Sequence, residues 1–533
     1  MTQEAQLSEQ VGLFSAAFLP LERARAEAWW ASSTKSSDEN EKALEQAENA
    51  YQRFLADEEA YQRFKEAAGA EVGNSVLKRQ IDVVHRMLAS HRMDEKIIER
   101  LVPLGVEIES EYNRFRAKLG GKEVSDNEIS EILRKTEDPA AAQAAWEAAK
   151  QIGPRVSERV LELVALRNEI ARKNGYENYQ VMSLELSELE PESLFQLLGE
   201  LERDTEAPFA EIKAELDGEL AAKFGIEPSE LRPCHYGDPF FQSAPQTGGV
   251  DLDRFYDGKN LEALTKEFFD GVDMEIEDIL KRSDLYEREG KCQHAFCIHL
   301  DRREDVRVLC NNRPTEYWMG TMLHEFGHAV YDKYLGGSLP ELLREPAHIL
   351  STEAIAMLFG RLSREKEFLV EIAGAEESDA ESVAAAAREE LRRNEIIFVR
   401  WALVVVHFER ELYKNPQRDL DTLWWDLVER FQHLKRPEGR SAPDWATKIH
   451  IATVPVYYQN YILGDLMASQ LLHHMLEQVL GGKPSVTGER AIGSYLTEKI
   501  FEPGNRSSWN ELLEDATGEK LSARHFIREF AAK

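Results

Sequence analysis

A mostly α-helical fold is predicted by three features of this 533-residue chain. Leu, Ala, Glu and Arg recur at helical spacing from end to end. Asp126 and Asp138-Pro139 carry helix-start signals. Only residues 292–310 read as strand, turn, strand. Length alone suggests roughly three or four domains, but no Pro/Gly/Ser-rich linker breaks the composition, so a single body, 1–533, of two lobes at most is expected.

Residues 1 to 120 read as long amphipathic helices. Ala50-Tyr51-Gln52-Arg53-Phe54 recurs as Ala60-Tyr61-Gln62-Arg63-Phe64. That spacing is close to a whole number of turns, so the repeat reads as one helix face. Residues 126–220 continue as helices. Pro228, Pro233, Gly237, Pro239, Pro245, Gly248 and Gly249 mark an irregular crossing. Helix resumes to about residue 285. One small antiparallel hairpin is then predicted, His294–Leu300 facing Val306–Cys310 across Asp301–Asp305. From 316 to 530 the pattern is helical again, with breaks at 481–484 and 502–505.

Acidic residues outnumber basic ones by 97 to 65, and the formal net charge is −32. Nucleic-acid binding is excluded, because a phosphate backbone needs clustered Lys and Arg. The bland reading is a solvated acidic surface, which also steers cationic or neutral ligands. Val11–Pro20 is far shorter than the ~20 residues of a membrane span. Glu4 and Glu9 precede it in place of a basic stretch, so neither membrane insertion nor a signal peptide is expected. Cys234, Cys292, Cys297 and Cys310 fit neither a disulfide scaffold nor a four-cysteine zinc knuckle. A cytoplasmic location follows, with a periplasmic or secreted chain as the alternative if a leader was removed. Nothing in the sequence indicates the number of copies in an assembly.

The most informative stretch is His324-Glu325-Phe326-Gly327-His328. Residues four apart share a helix face, so both imidazoles can hold one Zn²⁺ while Glu325 stands by as general base to a zinc-activated water. An ordinary helix with surface histidines is the bland alternative. Gly327 argues against it: mid-helix Gly costs about 1 kcal/mol relative to Ala, which makes sense if another segment passes close by.

Catalytic zinc needs a third ligand and an open position. The downstream candidates are Asp332, Glu341, Glu345, His348 and Glu353. Asp332 would have to distort the helix, and Glu341 and Glu345 lie in polar loops. Glu353 follows Ser351-Thr352, read as a helix N-cap, and opens the apolar run Ala354–Gly360. A carboxylate leading a buried helix needs a partner, which zinc would provide. The competing reading is a first-turn Glu complementing the helix dipole.

Together, His324–His328, Leu339-Pro340-Glu341-Leu342-Leu343-Arg344-Glu345 and Thr352-Glu353-Ala354-Ile355 resemble the angiotensin-converting-enzyme family of peptidyl dipeptidases. Trp29-Trp30 and Arg167–Tyr176 resemble further segments of it. The resemblance implies a helical ellipsoid split by a deep active-site channel. In it residues 1–120 would be lid helices and 290–360 the hairpin and zinc-site core. It implies one zinc per chain on His324, His328 and Glu353, with Glu325 as base. His450 and Tyr461 are then the oxyanion donors, with Tyr457 competing for the Tyr position. Gln242, Lys448 and Tyr458 would clamp the substrate's C-terminal carboxylate. The hairpin, with His294 and Ala295, would pair with substrate backbone as an added strand, with Gln293 competing for the His position. Three positions depart from the family. Where the family has an Asp that orients a ligating histidine, this chain has Met357, so another acid must substitute. Its chloride-site Arg is Asn460, which puts chloride dependence in question. Cys292 and Cys310 stand where it has a disulfide, which keeps an oxidised form open.

The implied function is zinc-dependent hydrolysis of short peptides with release of C-terminal dipeptides. Thimet-type oligopeptidases share the His-Glu-Phe-Gly-His helix and a hairpin similar to His294-Ala295-Phe296-Cys297, so cleavage of internal bonds is the alternative. Taq-type carboxypeptidases, which remove single residues, are a further relative. Outside enzymes, the alternative is an inactive helical peptide-binding protein.

Overall fold

The computed structural model describes residues 2–245 and 250–532, so Gly248 and Gly249 of the predicted crossing lie outside the described residues. Helices dominate, as predicted. Strands among the described residues form two two-stranded antiparallel sheets: β1 (Ala117–Leu119) with β2 (Lys122–Val124), and β3 (Phe296–His299) with β4 (Val306–Leu309). The β1–β2 hairpin corrects the expectation of a single hairpin. Its turn is Gly120-Gly121, with φ of 59° and 81°, which suits a two-residue hairpin loop. No helix among the described residues is long and apolar enough to cross a membrane.

The chain folds into two compact units. Met1–Arg92, Val250–Arg388 and Leu463–His525 make the first, and Met93–Gly249, Glu389–Ile462 and Phe526–Lys533 the second. In the second unit, Glu95–Arg114, Gly153–Lys173, Pro191–Phe224 and most of Glu377–Lys414 are long helices, and Trp401, Trp424 and Trp445 are fully buried.

The first unit opens with helices Gln3–Thr34, Asp38–Leu55, Glu58–Ala68 and Ser75–Ser90. The Ala-Tyr-Gln-Arg-Phe repeat lies on two helices, because Asp57 breaks the run and caps Glu59 and Ala60 with its carboxylate. Both copies still reach one partner: Phe54 and Phe64 each sit 5.3 Å, centroid to centroid, from Phe14.

The β3–β4 hairpin is shorter than predicted, with Phe296 opposite Leu309 and His299 opposite Val306. His294 lies exposed in a bend before it, and Ala295 directly precedes β3. Asp301 Oδ1 organises the turn by accepting from the N–H groups of Arg303, Glu304 and Asp305 at 2.9, 3.0 and 3.0 Å.

Two helices form the centre of the first unit. Glu316–Lys333 carries the His-Glu-x-x-His run and starts at Thr315, whose side chain accepts from Trp318 N. Ile349–Gly360 starts at His348, whose Nδ1 accepts from Leu350 N at 3.0 Å. This corrects the N-cap expected at Ser351-Thr352. Glu353 therefore lies in the second turn, beyond the first-turn dipole position.

The two helices cross through small residues. A Cβ on Gly327 would lie 2.9 Å from Ala356 Cα and 3.2 Å from both Ala356 N and Ile355 O. A Cβ on Gly320 would lie 3.2 Å from Gly360 O. These obstacles are backbone atoms, which cannot swing aside. Gly327→Ala is accordingly expected to lower folding stability by about 1–3 kcal/mol, against a helix-propensity gain of about 1 kcal/mol. Gly218→Ala, mid-helix with nothing within 4 Å, is the control and is expected to be neutral or stabilising. Urea denaturation midpoints of the two variants check the contrast.

Candidate metal centre

His324 and His328 project from the same face of Glu316–Lys333, their rings 4.9 Å apart and nearly perpendicular. Across the helix crossing, Glu353 Oε2 lies 3.8 Å from His324 Nε2 and 4.0 Å from His328 Nε2. One ligand atom from each of the three residues lies within 4.8 Å of the others. These separations are too long for hydrogen bonds and suit three donors around one divalent ion. A Cβ on Gly464, in helix Tyr458–His474, would come within 3.4 Å of Glu353 Cβ, so backbone closes the site from that direction.

The surroundings suit the same group. Burial pushes the His324 imidazole down to about 4 and that of His328 to about 3, so both are neutral, the form that ligates. Burial also raises the Glu353 carboxyl to about 7. Glu325 is 7% exposed. Burial and then the Glu353 charge raise it to about 8, opposed by a hydrogen bond from the Cys297 backbone. Two neutral imidazoles, a carboxylate without a cation beside it and a second acid next to them form a donor set that fits Zn²⁺.

His328 Nδ1 lies 2.7 Å from Thr352 Oγ1. With Nε2 turned toward Glu353, the Nδ1–H donates to that hydroxyl and holds the ring. The substitute acid expected in place of Met357 is therefore a hydroxyl at this histidine. Met357 packs against Gly464 instead. Thr352 was obscured in the sequence because a Ser-Thr pair before an apolar run reads as a cap.

The rejected ligand candidates all have other places. Glu341 pairs with Arg303. Glu345 pairs with Arg302 at 3.0 Å and accepts from Asn505 at 2.9 Å. His348 caps a helix, and Asp332 faces a separate cavity. The four cysteines are free, including Cys292 and Cys310.

The other predicted residues, apart from His294 and Ala295 beside β3, gather in the second unit. Lys448 Nζ donates to Gln242 Oε1 at 3.0 Å and lies 5.6 Å from the centre of the Tyr458 ring. Burial lowers Lys448 to about 8, with Asp238 opposing. Tyr458 stacks edge-on against His450 and Tyr461, at 5.3 and 5.5 Å, and its hydroxyl accepts from Trp401 Nε1 at 3.3 Å. The competing Tyr457 also touches Tyr461, at 5.1 Å. His450 Nδ1 is buried without a hydrogen-bond partner, and burial lowers this imidazole to about 4. The segment leading into these tyrosines is strained. Val456 has φ of 56°, an outlier for a β-branched residue, and is held there by its N–H donating to buried Glu409 at 2.8 Å.

Residues 1–228 match the angiotensin-converting enzyme family, and residues 266–532 match Peptidase family M3. Carboxypeptidase 1 of Bacillus subtilis (strain 168) is 25% identical over 260 residues, 44% of this chain and 51% of that protein. The chain thus spans about half the length of the curated relative it matches. The M3 match covers half of the chain and includes both helices of the His-His-Glu group, so this chain belongs to peptidase family M3.

Proposed function

We propose that this protein is a zinc-dependent peptidase that hydrolyses short peptides by releasing C-terminal dipeptides. The observation that carries the hydrolytic reading is the convergence of His324, His328 and Glu353 beside the buried carboxyl of Glu325. His324, His328 and Glu353 would hold one zinc. When bound, zinc supplies a Lewis acid that polarises the scissile carbonyl and lowers the pKa of water to about 7.

The protein's own groups do the rest. Glu325 takes the proton of the attacking water and delivers it to the leaving amine nitrogen. Thr352 keeps the His328 ring in its ligating tautomer. Tyr461 and His450 donate to the oxyanion of the tetrahedral intermediate. Lys448, Gln242 and Tyr458 hold a free C-terminal carboxylate, a cation with two neutral donors. The Lys448–Gln242 hydrogen bond supports this grouping. His294 and Ala295, beside β3, align the substrate backbone. The four free thiols support a reducing, cytoplasmic setting.

A second reading is favoured by the M3 match over the half of the chain that holds the metal ligands: cleavage of internal bonds in short peptides. Mass spectrometry of products from a free-ended decapeptide separates the two, since C-terminal dipeptides support the first and internal fragments the second.

Chelation is expected to remove one zinc per chain and abolish cleavage. Glu325→Gln is expected to keep the zinc and lose about 10²–10⁴-fold in kcat. A Glu325→Gln enzyme of normal rate would refute the mechanism. Thr352→Val is expected to weaken zinc binding about 10–100-fold in a competition titration, with little change in fold. Under the dipeptidase reading, amidating the substrate's C-terminus is expected to raise KM sharply in the wild type and far less in Lys448→Ala. Equal KM for acid and amide in the wild type would leave internal cleavage as the better reading.

A further inference from the structure

A second cavity, of about 240 Å³, opens in the first unit against the far end of the zinc-ligand helix. Helix Gln3–Thr34 contributes Glu22 and Trp29 to its wall, β3 contributes His299, and the hairpin turn contributes Arg302. Asp332, one turn beyond His328, lines it as well, and Glu345 closes it.

The charges in this wall do not cancel locally. Arg302 uses all five of its N–H donors. Two go to Glu22, at 2.5 and 2.7 Å, and one to Glu345 at 3.0 Å. The remaining two go to the carbonyls of Glu341 and Leu342, at 3.3 and 3.2 Å. Arg25 pairs with Glu48 at 2.9 Å and lies over the Tyr51 ring. Arg344 donates from Nε and Nη2 to the carbonyls of Leu339 and Gly337. Asp332 alone among the acids of the wall has no cation at ion-pair distance among the described residues; Cys297 Sγ lies 4.0 Å from its Oδ2. His299 Nε2 is likewise buried without a hydrogen-bond partner. A buried carboxylate without an ion-pair partner is costly; burial pushes this one up to about 7, with the Arg302 charge opposing and that of Glu345 adding to the rise.

We propose that the cavity is a specificity pocket for a cationic side chain, Lys or Arg, of the peptide substrate, with Asp332 as its counter-ion. The inference rests on the peptidase reading above. The volume accommodates one such side chain. Trp29, 44% exposed and stacked at 5.1 Å on Phe296, offers an aromatic surface to the stem and the charge. The spacing also agrees. Asp332 follows His328 by one turn, about 6 Å along the axis. An extended peptide repeats its side-chain direction every two residues, about 6.6–6.8 Å. A side chain two residues from the scissile bond therefore matches that offset. The high negative charge of the chain, −32, favours the approach of cationic peptides.

The test compares peptides that differ only by Lys or norleucine, scanned through the positions flanking the cut, with free and with acetylated N-termini. In the wild type, kcat/KM is expected to favour Lys by about 10–100-fold at one position, the worth of a charge-assisted hydrogen bond, whether or not the N-terminus is acetylated. Asp332→Asn, verified to hold one zinc per chain, is expected to bring that ratio close to one. Equal cleavage of Lys and norleucine peptides at every position by the wild type overturns the pocket and leaves the peptidase reading intact, even if the variant does not fold. An unchanged ratio in a folded Asp332→Asn overturns the role of Asp332. Discrimination that vanishes on acetylation assigns the cation to the free N-terminus and overturns the side-chain assignment. No cleavage of any peptide overturns the peptidase reading, and the pocket with it.

Discussion

The close crossing of helices Glu316–Lys333 and Ile349–Gly360 is the constraint on which the rest depends. Gly327 stands against the backbone of Ala356 and Gly320 against that of Gly360, so the two axes are held nearer than side chains would allow. That approach brings a carboxylate on one helix within 4.0 Å of the imidazoles on the other. It also lets the short side chain of Thr352 reach His328 Nδ1. A wider crossing would leave the same residues present and unable to share one ion. The unfavourable helix propensity of Gly327 is thus offset by the geometry it permits.

Burial sets the electrostatics of the site. Two imidazoles are held neutral and two carboxyls are raised, each mainly by desolvation. A divalent cation would resolve this set at once, since it would pair with Glu353 and accept both nitrogen lone pairs. Arg302 nearby is a different case, because its donors are already taken. Arg302 is saturated by two carboxylates and two carbonyls, and it ties the hairpin turn to the N-terminal helix and to the segment before Ile349–Gly360. With its donors taken, it acts on Asp332 only through its charge and makes no ion pair with it.

The second unit shows the same economy around Lys448, Gln242, His450 and the tyrosines. Aromatic rings desolvate one lysine while leaving it a hydrogen bond to Gln242. The loop that presents Tyr458 holds Val456 in a left-handed conformation, a strain retained only because buried Glu409 fixes its N–H. Such a device positions side chains more narrowly than a relaxed loop would.

Periodicity alone determined the helical class, and the i,i+4 spacing of His324 and His328 determined that they share a face, because both depend on contacts within a few residues. The need for a close neighbour at Gly327 was legible for the same reason: a glycine in a helix is a local anomaly. That Glu353 joins the two histidines was legible through its sequence context, although the cap at His348 was not, since several residue types cap equally well. The Gly-Gly turn of the β1–β2 hairpin was passed over because its strands are only three residues each and lie between strong helices. The tertiary structure alone decided that Thr352 orients His328, that Arg302 is exhausted by its partners and that Asp332 is left facing a cavity. Those outcomes depend on which distant backbones approach one another, and no spacing within a single segment encodes that distance.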